Sequence, residues 1–448
     1  MLPSPNTYVN KLKNLNSLKH EIKKKRIFFD ESKEFFGFDV MTQLIKVKNT
    51  SEIKGYPFLI NNKHHRFGLK VIPVENKYEK HEHPSYLEYI ILKYLTENIV
   101  NKQISPHFVH FLGQFKVSNK IRAIKHINLK RLEVENQIRT HSNVVISEFV
   151  EGKSLDNWLH DTYEADDKIS NLQWKVIVFQ MIYTIYIMQV YFKLMHNDFH
   201  YGNILIDNTI KKGGYYVYKV NNKVYYIPNT GILPKLFDFE YAMVYSNKIE
   251  DTYPNKFIMG HCVYDKSKHV SVPNNSSSDD DDDDDDNVPC NYNEVYDVHY
   301  FLTSLLDLFI SEELFNWVLQ VYPDEVIPPD ENTTDSSSSD DTSSNSSSDD
   351  TSSDSSSDTS SESSNDSESS NDSESSNDSE SSEDTSDDSE SESSHTEFIK
   401  DGRLINGVEN KIKLPKPLEL LENDFFKEFL VKPYDFDEST AVYFTCEK

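Results

Sequence analysis

The chain has 448 residues and a formal net charge of −29, with 46 Lys and Arg against 75 Asp and Glu. That length supports one large domain or two medium ones. Cys262, Cys290 and Cys446 stand too far apart for a disulfide framework or a zinc pattern, which excludes a small stapled secreted fold and points to a reducing compartment.

The acidity is local. Residues 333–395 are nearly all Ser, Thr, Asn, Asp and Glu and contain 20 acidic side chains; residues 279–286 add 8 more, so the remainder carries about −1. Segments this polar cannot bury enough apolar surface to offset the entropy of ordering, and both are expected to be disordered. Three tandem copies of Asn-Asp-Ser-Glu-Ser-Ser begin at Asn365, Asn371 and Asn377, a low-complexity tract with no face to stack. The domain map is therefore a polar basic N-terminal extension (1–34), an upper lobe (35–150), a lower lobe (151–330) with an acidic insert at 274–287, a disordered insert (331–396), and a closing segment (397–448) packing on the lower lobe.

Residues 1–34 show no signal peptide, and a cytoplasmic protein is expected. The run Lys23-Lys24-Lys25-Arg26 reads as a solvated helix face, with a nuclear signal or an anion patch as the alternatives. Short apolar runs between turn residues from Phe35 to Val74, among them Phe67-Gly68-Leu69-Lys70-Val71-Ile72, predict antiparallel sheet. Leu87, Ile90, Ile91, Tyr94 and Leu95 recur with helical spacing after Pro84-Ser85, predicting a helix. Strands are expected over 108–115 and 144–149, with a basic stretch between them at 116–141. After Gly152 the pattern turns helical, and the long apolar run at 174–195 suits a buried helix better than a membrane span, being broken by Gln180, Thr184, Gln189 and Lys193. Strands first and helices afterwards mean an α+β fold with two lobes.

Three chemical features stand out. Lys70 alternates with apolar residues on a strand, and Glu88 lies on the following helix, where a carboxylate reaches back to an ammonium. Alone, such a lysine is more often an outward-facing charge. The loop His196-Asn197-Asp198-Phe199-His200-Tyr201-Gly202-Asn203 sets an Asp five positions before an Asn, and Phe237-Asp238-Phe239-Glu240 supplies a second Asp on an apolar strand. An acceptor-orienting carboxylate, an amide oxygen and a second carboxylate are the parts that phosphoryl transfer needs. The alternation of His196, Asp198 and His200 also admits a metal chelate, which leaves Asn203 and Asp238 unexplained.

These motifs resemble the protein-kinase fold over roughly 35–330 with a tail at 400–435, and the acidic inserts give the chain the character of serine/threonine protein kinases of giant DNA viruses. The resemblance implies a bilobal α+β fold, with an N-terminal antiparallel sheet plus one helix above a mainly helical lobe. It implies Asp198 as catalytic base and Asn203 and Asp238 as Mg²⁺ ligands. Lys70 with Glu88 would serve the phosphates of ATP, Glu148 and Val150 would bind adenine through their backbone beside Ser147, and Gly55 would be the surviving glycine of the phosphate loop. His196 and Asp297 would brace the catalytic loop.

The departures are the missing Gly-x-Gly-x-x-Gly, Glu240 where a glycine is usual, and His200 where serine/threonine kinases carry lysine. Asp-Phe-Glu and the His-Asn-Asp loop also resemble the choline-kinase and aminoglycoside-phosphotransferase branch. The expected function is ATP- and Mg²⁺-dependent phosphotransfer to a protein Ser/Thr hydroxyl. The alternatives are a small-molecule kinase, or a pseudokinase scaffold docking an acidic partner or nucleic acid on residues 116–141. No membrane partner is expected.

Overall fold

The computed structural model describes residues 7–24, 43–44, 56–61, 66–75, 84–118, 138–165, 168–246, 262–265, 270–273, 291–323, 399–400, 403–404 and 412–446. The residues Gly55, 119–137, 274–287 and 331–396 lie outside these. All described residues belong to one compact unit, residues 1–327 with 395–448.

The chain opens with helix α1 (Thr7–Lys24), whose Tyr8 and Leu12 are buried in the core. The segment read from sequence as a polar extension thus contributes an apolar edge of its own. Strands β1 (Gln43–Leu44), β2 (Tyr56–Asn61), β3 (Arg66–Glu75), β4 (Phe111–Ser118) and β5 (Ile138–Glu148) form an antiparallel sheet in the order β1-β2-β3-β5-β4. The two-residue period of β3 buries Phe67 and Leu69 on one face and sets Gly68 and Lys70 on the other. Helix α2 (Pro84–Leu95) packs Leu87, Ile90, Ile91 and Leu95 into the core and runs on into one wider helical turn, Thr96–Val100. The Thr96 hydroxyl accepts the Phe111 N–H at 2.8 Å, tying that turn to the start of β4.

Short strands then frame the lower lobe: β6 (Gly152–Ser154), β7 (Leu194–Met195), β8 (Ile204–Asp207), β9 (Tyr215–Val220), β10 (Lys223–Pro228), β11 (Leu233–Leu236) and β12 (Met243–Val244). Of these, β11-β8-β6 make one three-stranded sheet and β7 pairs with β12. Two further hairpins, β13 (Cys262–Asp265) with β14 (Val270–Pro273) and β15 (Ile399–Lys400) with β16 (Arg403–Leu404), complete the short pairs. The last strand, β17 (Val442–Cys446), joins β9 in parallel, giving a sheet β10-β9-β17.

Helix α3 (Leu155–Glu164) precedes the long α4 (Asn171–Phe192). The capping box of α4 is reciprocal: the Ser170 hydroxyl accepts the Gln173 N–H at 3.3 Å, and Gln173 Oε1 accepts the Ser170 N–H at 3.0 Å. Lys193 closes it in the left-handed conformation at φ 47°. A helix apolar on every side must be surrounded, and although α4 is long enough to cross a bilayer, 83% of its apolar window is buried in this core. Helices α5 (Tyr296–Leu306), α6 (Glu312–Val321) and α7 (Pro417–Leu421) pack around it. On α6, Leu314, Trp317 and Val318 form the buried stripe, and the Trp317 ring stacks on Phe425 at 4.4 Å. The fold is α+β, with the antiparallel sheet and α2 above a lobe built on α4 and α5. The sheet β10-β9-β17 in that lower lobe adds to the expected helices.

Candidate active site

Four segments converge below the sheet. Lys70 projects from β3 toward α2, where its Nζ donates to Glu88 Oε2 at 3.0 Å. The same ammonium donates to Asp238 Oδ1 at 2.9 Å and lies 3.9 Å from Glu240 Oε2. Three carboxylates around one ammonium decide its state. Burial works against the charge on Lys70, but Asp238, Glu88 and Glu240 together hold its pKa well above the usual lysine value. Lys70 is therefore a permanent cation facing the cleft, not an outward-facing strand charge.

Asp238 reaches Lys70 because its backbone is left-handed, at φ 63°, an uncommon conformation for a residue with a side chain. Its neighbours are stitched in. The Phe237 N–H donates to the Asn203 carbonyl at 3.2 Å, and Phe239 is wholly buried with its ring 4.9 Å from that of His196. In the loop, Asn203 Nδ2 donates to the Asp198 carbonyl at 2.8 Å and to Asp198 Oδ2 at 2.7 Å. With its NH₂ committed to Asp198, the planar amide turns Oδ1 the opposite way.

The loop is held from beneath by Asp297, in the first turn of α5. One of its carboxylate oxygens accepts the His196 N–H at 2.7 Å and the other the Asn197 N–H at 2.9 Å. Burial pushes the Asp297 carboxyl up to about 7 despite these two bonds. Asn197, also left-handed at φ 62°, donates its side-chain amide to the Tyr241 carbonyl at 2.9 Å. The His196 ring bonds the Phe237 carbonyl through Nε2 at 3.0 Å, and burial lowers its pKa below the ordinary histidine value. His196 thus links the loop to the segment carrying Asp238. The His200 ring accepts the Gly202 N–H on Nδ1 at 3.1 Å, which fixes its proton on Nε2, 3.7 Å from Asp198 Oδ2. These separate engagements of His196 and His200 leave no common centre for the chelate considered from sequence. Among the described residues no group of three or more His, Cys, Asp or Glu gathers around a metal position.

The structure thus joins Lys70, Glu88 and Asp238 directly and ties the Asp198–Asn203 pair to the Asp238 segment through the Phe237 N–H, with His196 and Asp297 behind the loop. Val150 lies just past β5, and its carbonyl accepts the Gly152 N–H at 2.9 Å. The Glu148 N–H donates to the His110 carbonyl at 2.8 Å. The Glu148 carboxylate turns inward, to a buried ion pair with Lys235 of β11 that sequence reasoning missed. Lys235 sits in Leu233-Pro234-Lys235-Leu236, where nothing in the alternation separates a buried cation from a solvated one. Gly55 lies outside the described residues.

No protein-family model matches the chain. A mimivirus protein (Acanthamoeba polyphaga mimivirus) named "Putative serine/threonine-protein kinase" is 24% identical over 270 residues, 54% of this chain and 52% of its own length. The chain therefore spans about half the length of that relative. Among solved structures, the crystal structure of a kinase domain shares 18% identity over 50% of this chain and 57% of its own, with a TM-score of 0.30. The strand lysine paired to a helix glutamate, the loop braced by Asp297 and the likeness to the viral protein agree on a protein-kinase-like fold.

Proposed function

We propose that the chain is an ATP-dependent phosphotransferase that moves the γ-phosphoryl group of Mg-ATP to a serine or threonine hydroxyl of a protein. The observation that carries this reading is the Lys70 ammonium shared by Glu88 and Asp238, in the same cleft as the bonded pair Asp198 and Asn203. In phosphoryl transfer the protein contributes position and charge, and each residue supports one part of that task. Glu88 aims Lys70 at the place where phosphate oxygens would lie. Asp198, oriented by Asn203, accepts the hydrogen bond of the incoming hydroxyl and then its proton. His200 Nε2–H stands beside it, where a kinase lysine would otherwise supply positive charge.

The Asp238 carboxylate and the Asn203 amide oxygen are hard oxygen donors of the kind Mg²⁺ prefers, and the Asp238 side chain is 35% exposed to the cleft. When bound there, the ion would neutralise phosphate charge. The name of the viral relative supports a protein acceptor. Glu240 beside Lys70 favours a second reading, a small-molecule kinase, because Asp-Phe-Glu resembles that branch.

An acceptor panel separates the two. With Mg-ATP, a generic protein acceptor is expected to become labelled, while choline, ethanolamine and sugars leave ATP turnover at its basal rate. Turnover raised by one of the small acceptors would transfer the assignment to the second reading. No nucleotide binding by calorimetry would remove both.

A further inference from the structure

Four charged side chains outside the proposed chemistry form a chain behind the cleft. Lys11 of α1 pairs with Asp207 at the end of β8, and Lys235 of β11 pairs with Glu148 at the end of β5. Asp207 is fully buried, and Lys235 and Glu148 are 2% and 3% exposed. In the β11–β8 pairing Leu233 stands opposite Asp207 and Lys235 opposite Leu205, which sets Asp207 and Lys235 on one face of this sheet. Burial tends to raise the Asp207 carboxyl, but Lys11, Lys235 and a hydrogen bond from Thr209 override it and hold the group below its ordinary value. The signs alternate and cancel, which is the arrangement that lets charges remain in an apolar interior.

The elements joined in this way are the ones that present the site. β8 starts directly after Asn203, β11 ends two residues before Asp238, and β5 ends two residues before Val150. The end piece, α1, is fastened along its length. Tyr8 packs edge-on against Phe444 at 5.8 Å, Asn16 Nδ2 donates to Asn101 Oδ1 at 3.0 Å, and Lys19 pairs with Glu97 at 3.3 Å and lies over the Phe111 ring at 5.6 Å. The helix therefore touches the lower lobe through Lys11 and the upper lobe through Lys19. Packing alone would need no ammonium delivered to a buried carboxylate.

We propose that Lys11, Asp207, Lys235 and Glu148 are positioning residues, and that the N-terminal helix is an integral part of the site because its Lys11 neutralises the chain that locks the strands bearing Asn203 and Asp238 to the strand leading to Val150. This rests on the phosphotransferase reading for what the lock serves, though not for its existence.

Hydrogen exchange on the full-length protein tests it, with and without Mg-ATP, for the wild type, Lys11→Met, Lys11→Arg and Lys11→Met/Asp207→Asn. Lys11→Met should speed exchange about tenfold in 204–207 and 233–238, and weaken Mg-ATP binding by a similar factor. Lys11→Arg should stay at wild-type levels. The neutral double variant should recover most of both, since no unpaired charge remains buried; this recovery is also the readout if Lys11→Met does not fold. Faster exchange confined to 7–24 with unchanged Mg-ATP affinity, or a double variant no better than Lys11→Met, would overturn the proposal. A wild type that Mg-ATP does not protect would instead remove the phosphotransferase reading, and the exchange in 204–207 and 233–238 would still report on the lock.

Discussion

Lys70 is the residue on which the cleft turns. It is surrounded by Glu88, Asp238 and Glu240, so removing its ammonium leaves three carboxylates facing one another. Lys70→Met should lower phosphotransfer by about a hundredfold or more while the fold persists, a split read by activity against thermal unfolding. His110 offers the reverse case. It is buried, neither ring nitrogen has a hydrogen-bond partner among the described residues, and burial lowers its pKa to about 3 from an ordinary 6.5. His110→Leu should therefore stabilise the protein by about 1 kcal/mol at neutral pH.

The sign of its pH dependence follows from linkage. A histidine held below its unfolded value gives stability that is complete above pH 6.5 and is lost as pH falls toward the folded value of about 3. The advantage of His110→Leu over the wild type should accordingly widen on acidification through that window, measured as the difference of the two melting temperatures. A constant difference would mean that His110 charges freely in the folded state.

At this scale the sequence showed Lys70, Glu88, Asp198, Asn203 and Asp238, because each lies in a local pattern of known chemical use. It did not show the partner of Glu148. That contact joins residues 87 apart, and only the tertiary fold that brings β11 to the end of β5 creates it.

Among the elements, the tightest constraint is the approach of β6 to β8. A Cβ placed on Gly152 would lie 1.7 Å from the Ile206 carbonyl oxygen, a backbone atom that can move only with its strand. Gly152→Ala should cost about 1–3 kcal/mol in stability. It should also reduce activity beyond that loss, because β8 carries the chain directly away from Asn203. Thermal melting and turnover measured together check both parts.

The hairpin β9–β10 shows what element-level reading missed. Tyr215-Tyr216-Val217-Tyr218-Lys219-Val220 and Lys223-Val224-Tyr225-Tyr226-Ile227-Pro228 are aromatic and β-branched runs separated by Asn221-Asn222, and Asn221 takes the positive φ of 52° that such turns require. This strand signal lies in the residues themselves, within a stretch whose surroundings in sequence after Gly152 read as helical. Helix α4, by contrast, was legible because a long apolar run at 174–195, broken only by isolated polar residues, suits a buried helix, whereas its Ser170–Gln173 capping box emerged only in the structure.

Over the whole molecule, both ends of the described chain meet. Tyr8 near the start and Phe444 near the end are in ring contact, and Phe444 also lies 5.2 Å from the Tyr218 ring. Phe444→Ala should destabilise the protein by about 3–5 kcal/mol, since it removes a fully buried ring on which α1 and β9 both rest. Neither terminus announces this in sequence, because each becomes apolar in context only when the other is in place. The acidic tracts were plain from composition, yet their part in function belongs to segments outside the described residues. Excising 333–395, a tract outside the described residues, should leave the melting temperature unchanged.

The central claim, that this cleft transfers phosphoryl groups through Asp198, is tested most directly with γ-labelled Mg-ATP, a generic protein acceptor, the wild type and Asp198→Ala. The wild type should label the acceptor, and Asp198→Ala should bind Mg-ATP as before yet lose labelling by about a hundredfold to ten-thousandfold. Equal labelling by the two proteins would contradict the role of Asp198, and no labelling by the wild type would contradict the function.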